Sequence, residues 1–201
     1  MRISGVAKKG LALVLTMAVA VGGVALSPSQ ASAAKKAKSK SITVRTLYAA
    51  KCDADGCAWL YGEDDGSSSV KPSKISEKSV KFTKGKKTSV TVNLSKPAKF
   101  NKKKVGNISE AVVFTVDLKD ILKSFKSVKV SNVVVKCDGK KVKCKPQIGA
   151  FEKNKADSKD NWRISFFNTY GQNGDNSKNV NKATAFKFKK NITVTFTVTP
   201  K

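Results

Sequence analysis

Histidine is absent from the 201 residues, and arginine occurs only three times. Without histidine the chain cannot use Ser-His-Asp or Cys-His mechanisms, and it lacks the most adaptable general base. No glycine-rich phosphate-binding motif and no metalloprotease motif is present. Paired carboxylates of the glycosidase kind remain conceivable, but most of the 14 acids lie beside Gly, Ser or Lys in predicted loops. We therefore predict that the protein is not an enzyme.

Long apolar runs are also scarce, and the chain has one, Leu11–Leu26. A basic start (Arg2, Lys8, Lys9) precedes this run, and the small-residue sequence Ala31-Ser32-Ala33 follows it. The arrangement is typical of a secretory signal peptide. A membrane anchor is the alternative, but the run is short for a bilayer and the cleavage motif comes directly after it. We expect an extracellular protein, associated with the cell wall in one hypothesis, without a transmembrane segment after cleavage.

The predicted signal peptide covers 1–33 and leaves 168 residues, the size of one domain. We interpret 34–40 as a basic flexible tail and 41–201 as the folded domain. Together, residues 34–201 have 37 lysines and arginines against 14 acids, a formal charge of +23. Its arginines are only Arg45 and Arg163, although arginine is the usual residue for bidentate contacts with bases and phosphates. The dispersed lysines favour solubility and loose attraction to anionic wall polymers over specific nucleic-acid recognition.

Four cysteines fit an oxidising compartment: Cys52, Cys57, Cys137 and Cys144. Three pairings are possible and the sequence does not choose among them, although we favour the two local disulfides. Cys137 and Cys144 would face each other across a hairpin centred on Lys140–Lys141. A turn centred on Asp138-Gly139 would instead shift the register and separate them. Zinc is not expected, because the ligand spacing is wrong and histidine is absent.

Alternation of apolar and polar residues predicts many short strands, as in Thr88–Leu94 and Ile192–Thr199. Thr184–Phe188 is interpreted as another closing strand, and Gly62–Ser79 as a loop. Apolar residues at helical spacing in Asp117–Phe125 predict one short helix. The pattern indicates an all-β fold, an antiparallel β-sandwich of jelly-roll-like form with one short helix. A smaller open barrel is the alternative.

Aromatic side chains beside polar loops provide a candidate glycan-binding site. Sugars are bound by flat aromatic faces, with polar side chains that bond their hydroxyl groups. The most plausible local group is Tyr170 with Asn168, Gln172 and Asn173, at the end of the aromatic-rich strand that begins at Trp162. The candidate residues are Tyr170, Asn168, Gln172, Asn173, Trp59, Tyr61, Trp162 and Arg163. Core packing is the alternative for the aromatics, and alternation favours it for Trp162, which shares a face with Ile164 and Phe166.

Acidic residues cluster between positions 53 and 65 of an otherwise basic chain. Oxygen-rich loops of extracellular proteins can hold calcium. The candidate ligands are Asp53, Asp55, Asp64 and Asp65. The alternative is that these residues only form turns, because the full twelve-residue calcium-loop pattern is missing. We expect no required cofactor, with a structural calcium as the one candidate metal.

The segment from Asn132 to Gly171 resembles a β-sandwich module attached to secreted polysaccharide-degrading enzymes of Gram-positive bacteria. The resemblance consists of a hairpin with the sequence VVVKCDGKKV, from Val133 to Val142, followed by Arg163 and then Asn168-Thr169-Tyr170-Gly171. The strands EAVVFTVDL and ITVTFTV are also similar to that family. The resemblance implies a jelly-roll carbohydrate-binding module with a structural calcium and a polysaccharide or cell-wall glycan as partner. The additional cysteines, the high lysine content and the missing catalytic domain depart from the family and favour the cell's own wall as the target.

Overall fold

A computed structural model describes residues 38–53, 59–62, 76–100, 102–150, 160–170 and 180–201. The chain divides after Lys35, and all of these residues belong to the unit that follows. The predicted signal peptide, 1–33, lies outside the described residues. The first strand begins at Ser39, so the end of the predicted flexible tail, 34–40, is already part of a sheet.

The described residues form twelve strands, one α-helix and one 3₁₀ helix. In chain order the elements are β1 (Ser39–Cys52), β2 (Trp59–Tyr61), β3 (Ser76–Thr83), β4 (Thr88–Ser95), β5 (Lys99–Phe100), β6 (Lys103–Lys104), β7 (Ile108–Leu118), α1 (Ile121–Ser124), β8 (Val128–Cys137), β9 (Lys140–Val142), β10 (Gln147–Ala150), β11 (Trp162–Asn168), the 3₁₀ helix (Ala183–Phe186) and β12 (Asn191–Pro200). The paired strands are antiparallel throughout.

Two sheets make up the body of the domain. The larger has the order β10-β11-β7-β1-β2, with β3 also paired to β1, and the smaller has the order β4-β12-β8-β9. The chain passes from one sheet to the other at β3–β4, β4–β7, β7–β8, β9–β10 and β11–β12, and the short pair β5–β6 lies in the second of these connections. Because the apolar faces of both sheets contribute to one buried cluster, the domain is the predicted all-β sandwich with jelly-roll-like crossings.

Aromatic rings from both ends of the chain meet at the centre of the core. Phe114 of β7 stacks on Phe166 of β11 with 4.6 Å between ring centroids, and Phe186 meets Phe114 edge-on at 5.4 Å. Tyr48 of β1 is fully buried, and its hydroxyl donates to the carbonyl of Phe186 at 2.9 Å. This bond satisfies the only polar atom of the Tyr48 side chain, so the ring can occupy the core without a desolvation penalty.

The alternation predictions are confirmed for β4 and β12, where every second side chain is buried. The short helix is also confirmed as α1, whose Ile121 packs into the core. Within the described part of the chain, the helices have four residues each, and none has the length or apolar character to cross a membrane.

Two element predictions are wrong. Residues 76–79, predicted within the loop, belong to β3 and pair with β1. Thr184–Phe188 is not a strand, because residues 183–186 form the 3₁₀ helix. Phe186 and Phe188 are buried while Lys187 is exposed, so the segment has the apolar alternation of a strand but packs as a turn between two sheets.

The register of the β8–β9 hairpin determines whether Cys137 and Cys144 can form the predicted disulfide. Its two turn residues are Asp138 and Gly139, both with positive φ (50° and 80°), as a tight primed turn requires. This register places Cys137 opposite Lys140, and Cys137 and Cys144 are free thiols. The prediction of that disulfide is therefore wrong, because a turn centred on Asp138-Gly139 shifts the register and separates the two cysteines. Cys52 is disulfide-bonded, whereas its predicted partner, Cys57, lies outside the described residues.

Candidate functional site

Tyr170 is the exposed aromatic at the end of β11, with 65% of its surface accessible. Its backbone N–H donates to Oδ1 of Asn168 at 3.0 Å, and the N–H of Thr169 donates to the carbonyl of Val112 at 2.8 Å. Asn168 itself is buried. The side chain of Asn168 thus shapes the turn that presents the Tyr170 ring, an arrangement typical of Asx turns. The other members of this local group, Gln172 and Asn173, lie outside the described residues.

Tyr61 is not an exposed platform, because its side chain is in the core, the alternative that the sequence left open. Only 5% of its surface is accessible, and its hydroxyl donates to the carbonyl of Ser95. Burial raises the pKa of Tyr61 above its ordinary value. The side chain therefore links β2 of the larger sheet to the end of β4 in the smaller one.

The two tryptophans contribute little to an exposed site. Trp162 is half-buried against the core, as alternation favoured, and its indole Nε1 is buried without a hydrogen-bond partner among the described groups. Trp59 pairs with Ala49 in the backbone register of β2, but its side chain lies outside the described residues.

Arg163 belongs to a different place from Tyr170. It lies five positions before Asn168 on β11, which corresponds to about 17 Å along an extended strand. Its Nε and Nη2 donate to the two carboxylate oxygens of Asp117, each at 2.6 Å. Both side chains are buried. The structure therefore brings Asn168 and Tyr170 together and separates Arg163 from them.

A charged row crosses the outer face of the larger sheet, and the sequence analysis missed it. Strand register places Arg45 opposite both Glu77 and Asp117, and Asp117 opposite Arg163. Arg45 donates to Oε1 of Glu77, and the Nζ of Lys119 lies 3.8 Å from the same oxygen. One sequence signal could have indicated this row. By alternation, Arg45, Arg163 and Asp117 all occupy outward positions of their strands.

The acidic cluster is described only at Asp53. One carboxylate oxygen of Asp53 accepts the backbone N–H of Asn107 at 2.6 Å, and the other accepts its side-chain amide at 2.7 Å. These bonds, led by the side-chain amide, lower the pKa of Asp53. Asp55, Asp64 and Asp65 lie outside the described residues. Within the described ranges no group of three His, Cys, Asp or Glu could hold a metal, so the calcium site stays a prediction.

Lysines dominate the surface of the described chain. Of its 27 lysines, all but Lys96 and Lys119 are exposed. Among ion pairs between described residues, lysines take part in three: Lys51 with Glu110, Lys119 with Glu77 and Lys123 with Asp120. Most of the ammonium groups therefore face solvent without a carboxylate partner in the described ranges.

Carboxylates of the described chain are mostly engaged internally. Asp138, in the β8–β9 turn, accepts the backbone N–H groups of Lys189, Lys190 and Asn191 at 2.7–3.1 Å. Burial alone would raise the pKa of Asp138, but these three donors lower it below its ordinary value. The exposed charge of the described residues is therefore mostly positive.

Comparisons with known protein families, with characterised proteins and with solved structures find no match to this chain.

Proposed function

We propose that the protein is a secreted, non-catalytic β-sandwich that adheres to anionic polymers of the cell surface through its lysines. The observation that carries this proposal is the exposure of nearly all described lysines, most of them without a carboxylate partner. A single lysine near an anionic surface contributes about 1 kcal/mol, so adhesion would depend on many of them acting together. Such adhesion needs no shaped pocket.

The arginines support loose adhesion over sequence-specific recognition. Both arginines of the described chain donate to carboxylates on the outer face of the larger sheet, and Arg163 is buried there. The described surface therefore presents point-like ammonium charges and no planar guanidinium for bidentate contact with a base. A protein of this kind binds by charge density, and its affinity should fall steeply as salt increases.

A second candidate function is glycan binding at Tyr170. Among the predicted aromatics whose side chains are described, Tyr170 is the one exposed to solvent, on a turn fixed by Asn168. The resemblance to carbohydrate-binding modules motivates the hypothesis. It is the weaker candidate because Tyr61 is buried and Trp162 packs against the core.

Retention on purified cell walls and on insoluble neutral polysaccharides, at low and at high salt, tests both functions. Lysine adhesion predicts retention on walls that is lost at high salt, with no retention on neutral polysaccharide. Salt-resistant retention on one polysaccharide, lost in Tyr170→Ala, would replace the first proposal by the second. Retention that survives both high salt and Tyr170→Ala would contradict both site assignments. Val180→Ala is a suitable control, because Val180 is 64% exposed and carries neither charge nor ring.

A further inference from the structure

A surface cleft of about 460 Å³ lies between the start of β1 and the turn that joins β7 to α1. Its lining brings lysines from two distant segments of the chain to one concavity. The lining residues are Lys40, Ser41, Ile42, Thr43, Lys119, Asp120, Lys123 and Ser124. Elsewhere on the described sheets, as at Lys136 and Lys141, lysines are exposed on regular strands.

The backbone around the cleft is firmly held. The N–H of Lys119 donates to the carbonyl of Thr43 at 2.9 Å, which fixes the end of β7 to β1. Asp120 has a left-handed backbone (φ 55°), and its N–H donates to Oδ1 of Asn161 at 2.7 Å. The next residue, Ile121, is fully buried in the core. The side chains of Lys119 and Lys123 therefore extend from an anchored turn, which lowers the entropy cost of bringing them to one ligand.

The charges of the cleft are not balanced. Three lysines face one carboxylate in the lining, that of Asp120, whose Oδ1 lies 2.9 Å from the Nζ of Lys123. Lys119 is 3.8 Å from Glu77, which also accepts a hydrogen bond from Arg45. Lys40 has no carboxylate within ion-pair distance among the described residues. Asp160 also acts electrostatically on Lys123, so Lys40 is the ammonium group that the lining leaves for a ligand, with Lys119 and Lys123 shared with carboxylates.

Hydroxyl groups complete the donor set. Ser41, Thr43 and Ser124 line the same cleft as the three lysines. An oxyanion with several oxygens can accept from donors on different sides, and ammonium and hydroxyl groups together suit a phosphate better than a single ion pair suits a carboxylate. Lysine is an established point-charge ligand for phosphate.

We propose that this cleft binds a phosphate group, either free or as part of a phosphodiester polymer. If the ligand is a polymer, the inference rests on the proposed function. It then names the class of wall polymer, a phosphodiester, and the place on the surface where that polymer binds. The fixed turn and the convergent donors distinguish the cleft from the lysines of the open sheet faces.

The test compares two triple variants that remove the same charge. Lys40→Gln, Lys119→Gln and Lys123→Gln alter the cleft, whereas Lys129→Gln, Lys136→Gln and Lys141→Gln alter exposed lysines of β8 and β9. Both variants and the unchanged protein are titrated with poly(glycerol phosphate) at low salt. We expect at least a tenfold larger loss of affinity in the cleft variant than in the control, because only the cleft variant removes lysines that line the concavity.

A second arm uses inorganic phosphate and backbone amide chemical shifts of the unchanged protein, which does not depend on whether any variant folds. Shift changes confined to 40–43 and 119–124 would support the site. If the same shifts occur but the polymer does not bind, the ligand of the cleft is free phosphate. That outcome would overturn the proposed function and support the cleft as a phosphate site. Polymer binding that both variants weaken equally, without such shifts, would overturn the cleft and leave the proposed function standing. Neither polymer binding nor shifts would overturn both.

Discussion

The outer faces of the two sheets are built on different principles. On the smaller sheet, β4 and β12 turn apolar side chains inward and Ser, Thr and Asn outward, so the solvent face of these two strands is neutral and polar, and the exposed lysines of the sheet lie on β8 and β9. Hydroxyl and amide groups bond across it, as between Thr91 and Thr195 at 3.0 Å. On the larger sheet, β7 is buried on both sides from Val113 to Leu118. Its outer face nevertheless carries charge.

The difference shows how a basic protein distributes its few acids. Asp117 is buried on the outer face of the larger sheet and accepts two hydrogen bonds from Arg163, which satisfies both of its oxygens. Buried charge is tolerated only when it is paired and hydrogen-bonded. In the smaller sheet the described carboxylate nearest the strands is Asp138, which lies in a turn and accepts backbone N–H groups instead. The larger sheet is thus the more sensitive to loss of one polar group.

The largest expected effect concerns the thiols at the edge of the smaller sheet. Burial, with smaller contributions from Asp138 and Cys144, raises the pKa of Cys137 to about 12, and burial also raises the pKa of Cys144. Because the thiolate is the reactive form, alkylation of Cys137 in the native protein at pH 8 should be roughly a hundred- to a thousandfold slower than in the unfolded chain. Iodoacetamide labelling followed by peptide mapping measures both rates.

The same labelling without reductant tests the hairpin register. Two cysteines, Cys137 and Cys144, should become available when the chain is unfolded. If neither is labelled even in denaturant, the two thiols form a disulfide, and the smaller sheet is closed at its edge by a covalent bond.

Loss of the carboxylate in Asp117→Ala should lower the free energy of unfolding by about 3–5 kcal/mol, because it removes both acceptors from a buried arginine. Glu110→Ala is the matched control on the same strand, since Glu110 pairs with Lys51, whose side chain is 69% exposed. That change should cost at most about 1 kcal/mol. Denaturant unfolding of both variants gives the comparison. Equal losses of stability would mean that the buried Asp117–Arg163 pair contributes no more to folding than the exposed Glu110–Lys51 pair.

Asp138 supplies the corresponding test for the smaller sheet. Asp138→Ala removes three accepted N–H bonds and places alanine at a positive φ, so a loss of about 2 kcal/mol is expected. Asp138→Asn should cost about half as much, because Asn tolerates this backbone and retains one acceptor oxygen. Urea unfolding of the two variants measures the difference. A similar cost for both would mean that the charge matters and the backbone conformation does not.

The pH dependence at Asp138 has a definite sign. Its pKa is lower in the folded than in the unfolded chain, so the unfolded state binds more protons in acid. Its contribution to stability is therefore present above the unfolded-state pKa, near about 4, and is lost as pH falls through the folded-state pKa. Between about pH 5 and pH 2, Asp138→Asn should lose less stability than the unchanged protein. A steeper loss in the variant would contradict the assignment.

The smaller sheet could be predicted from sequence because its pattern is local. In β12 the apolar residues Ile192, Val194, Phe196 and Val198 alternate with threonines, and one solvated face is enough to produce that pattern. The turn at Asp138-Gly139 is one of the two hairpin registers that the sequence allows, since its residues favour positive φ. Here the period and the turn chemistry determine the structure.

The larger sheet could not be predicted to the same extent. The charged row joins Glu77, Arg45, Asp117 and Arg163 on four strands, and their register depends on pairings between distant parts of the chain. The hydroxyl of Tyr61 finds the Ser95 carbonyl in the other sheet, which no local pattern encodes. Local sequence therefore placed Asn168 beside Tyr170, but it did not predict that Arg163 pairs with Asp117 away from them, nor the lysine cleft.

The smallest expected effect is a gain in stability from Thr115→Val. Thr115 lies between Val113 and Asp117 on the outer face of β7, is fully buried, and its hydroxyl has no hydrogen-bond partner among the described groups. Removing that hydroxyl at nearly constant volume should raise the free energy of unfolding by about 1 kcal/mol. Thr197→Val on the smaller sheet, where the hydroxyl is half-exposed, should stay within about 0.5 kcal/mol of zero. Thermal unfolding resolves the pair: a loss in Thr115→Val would mean that this hydroxyl is bonded in solution, and the outer face of the larger sheet would then be a fully satisfied polar layer.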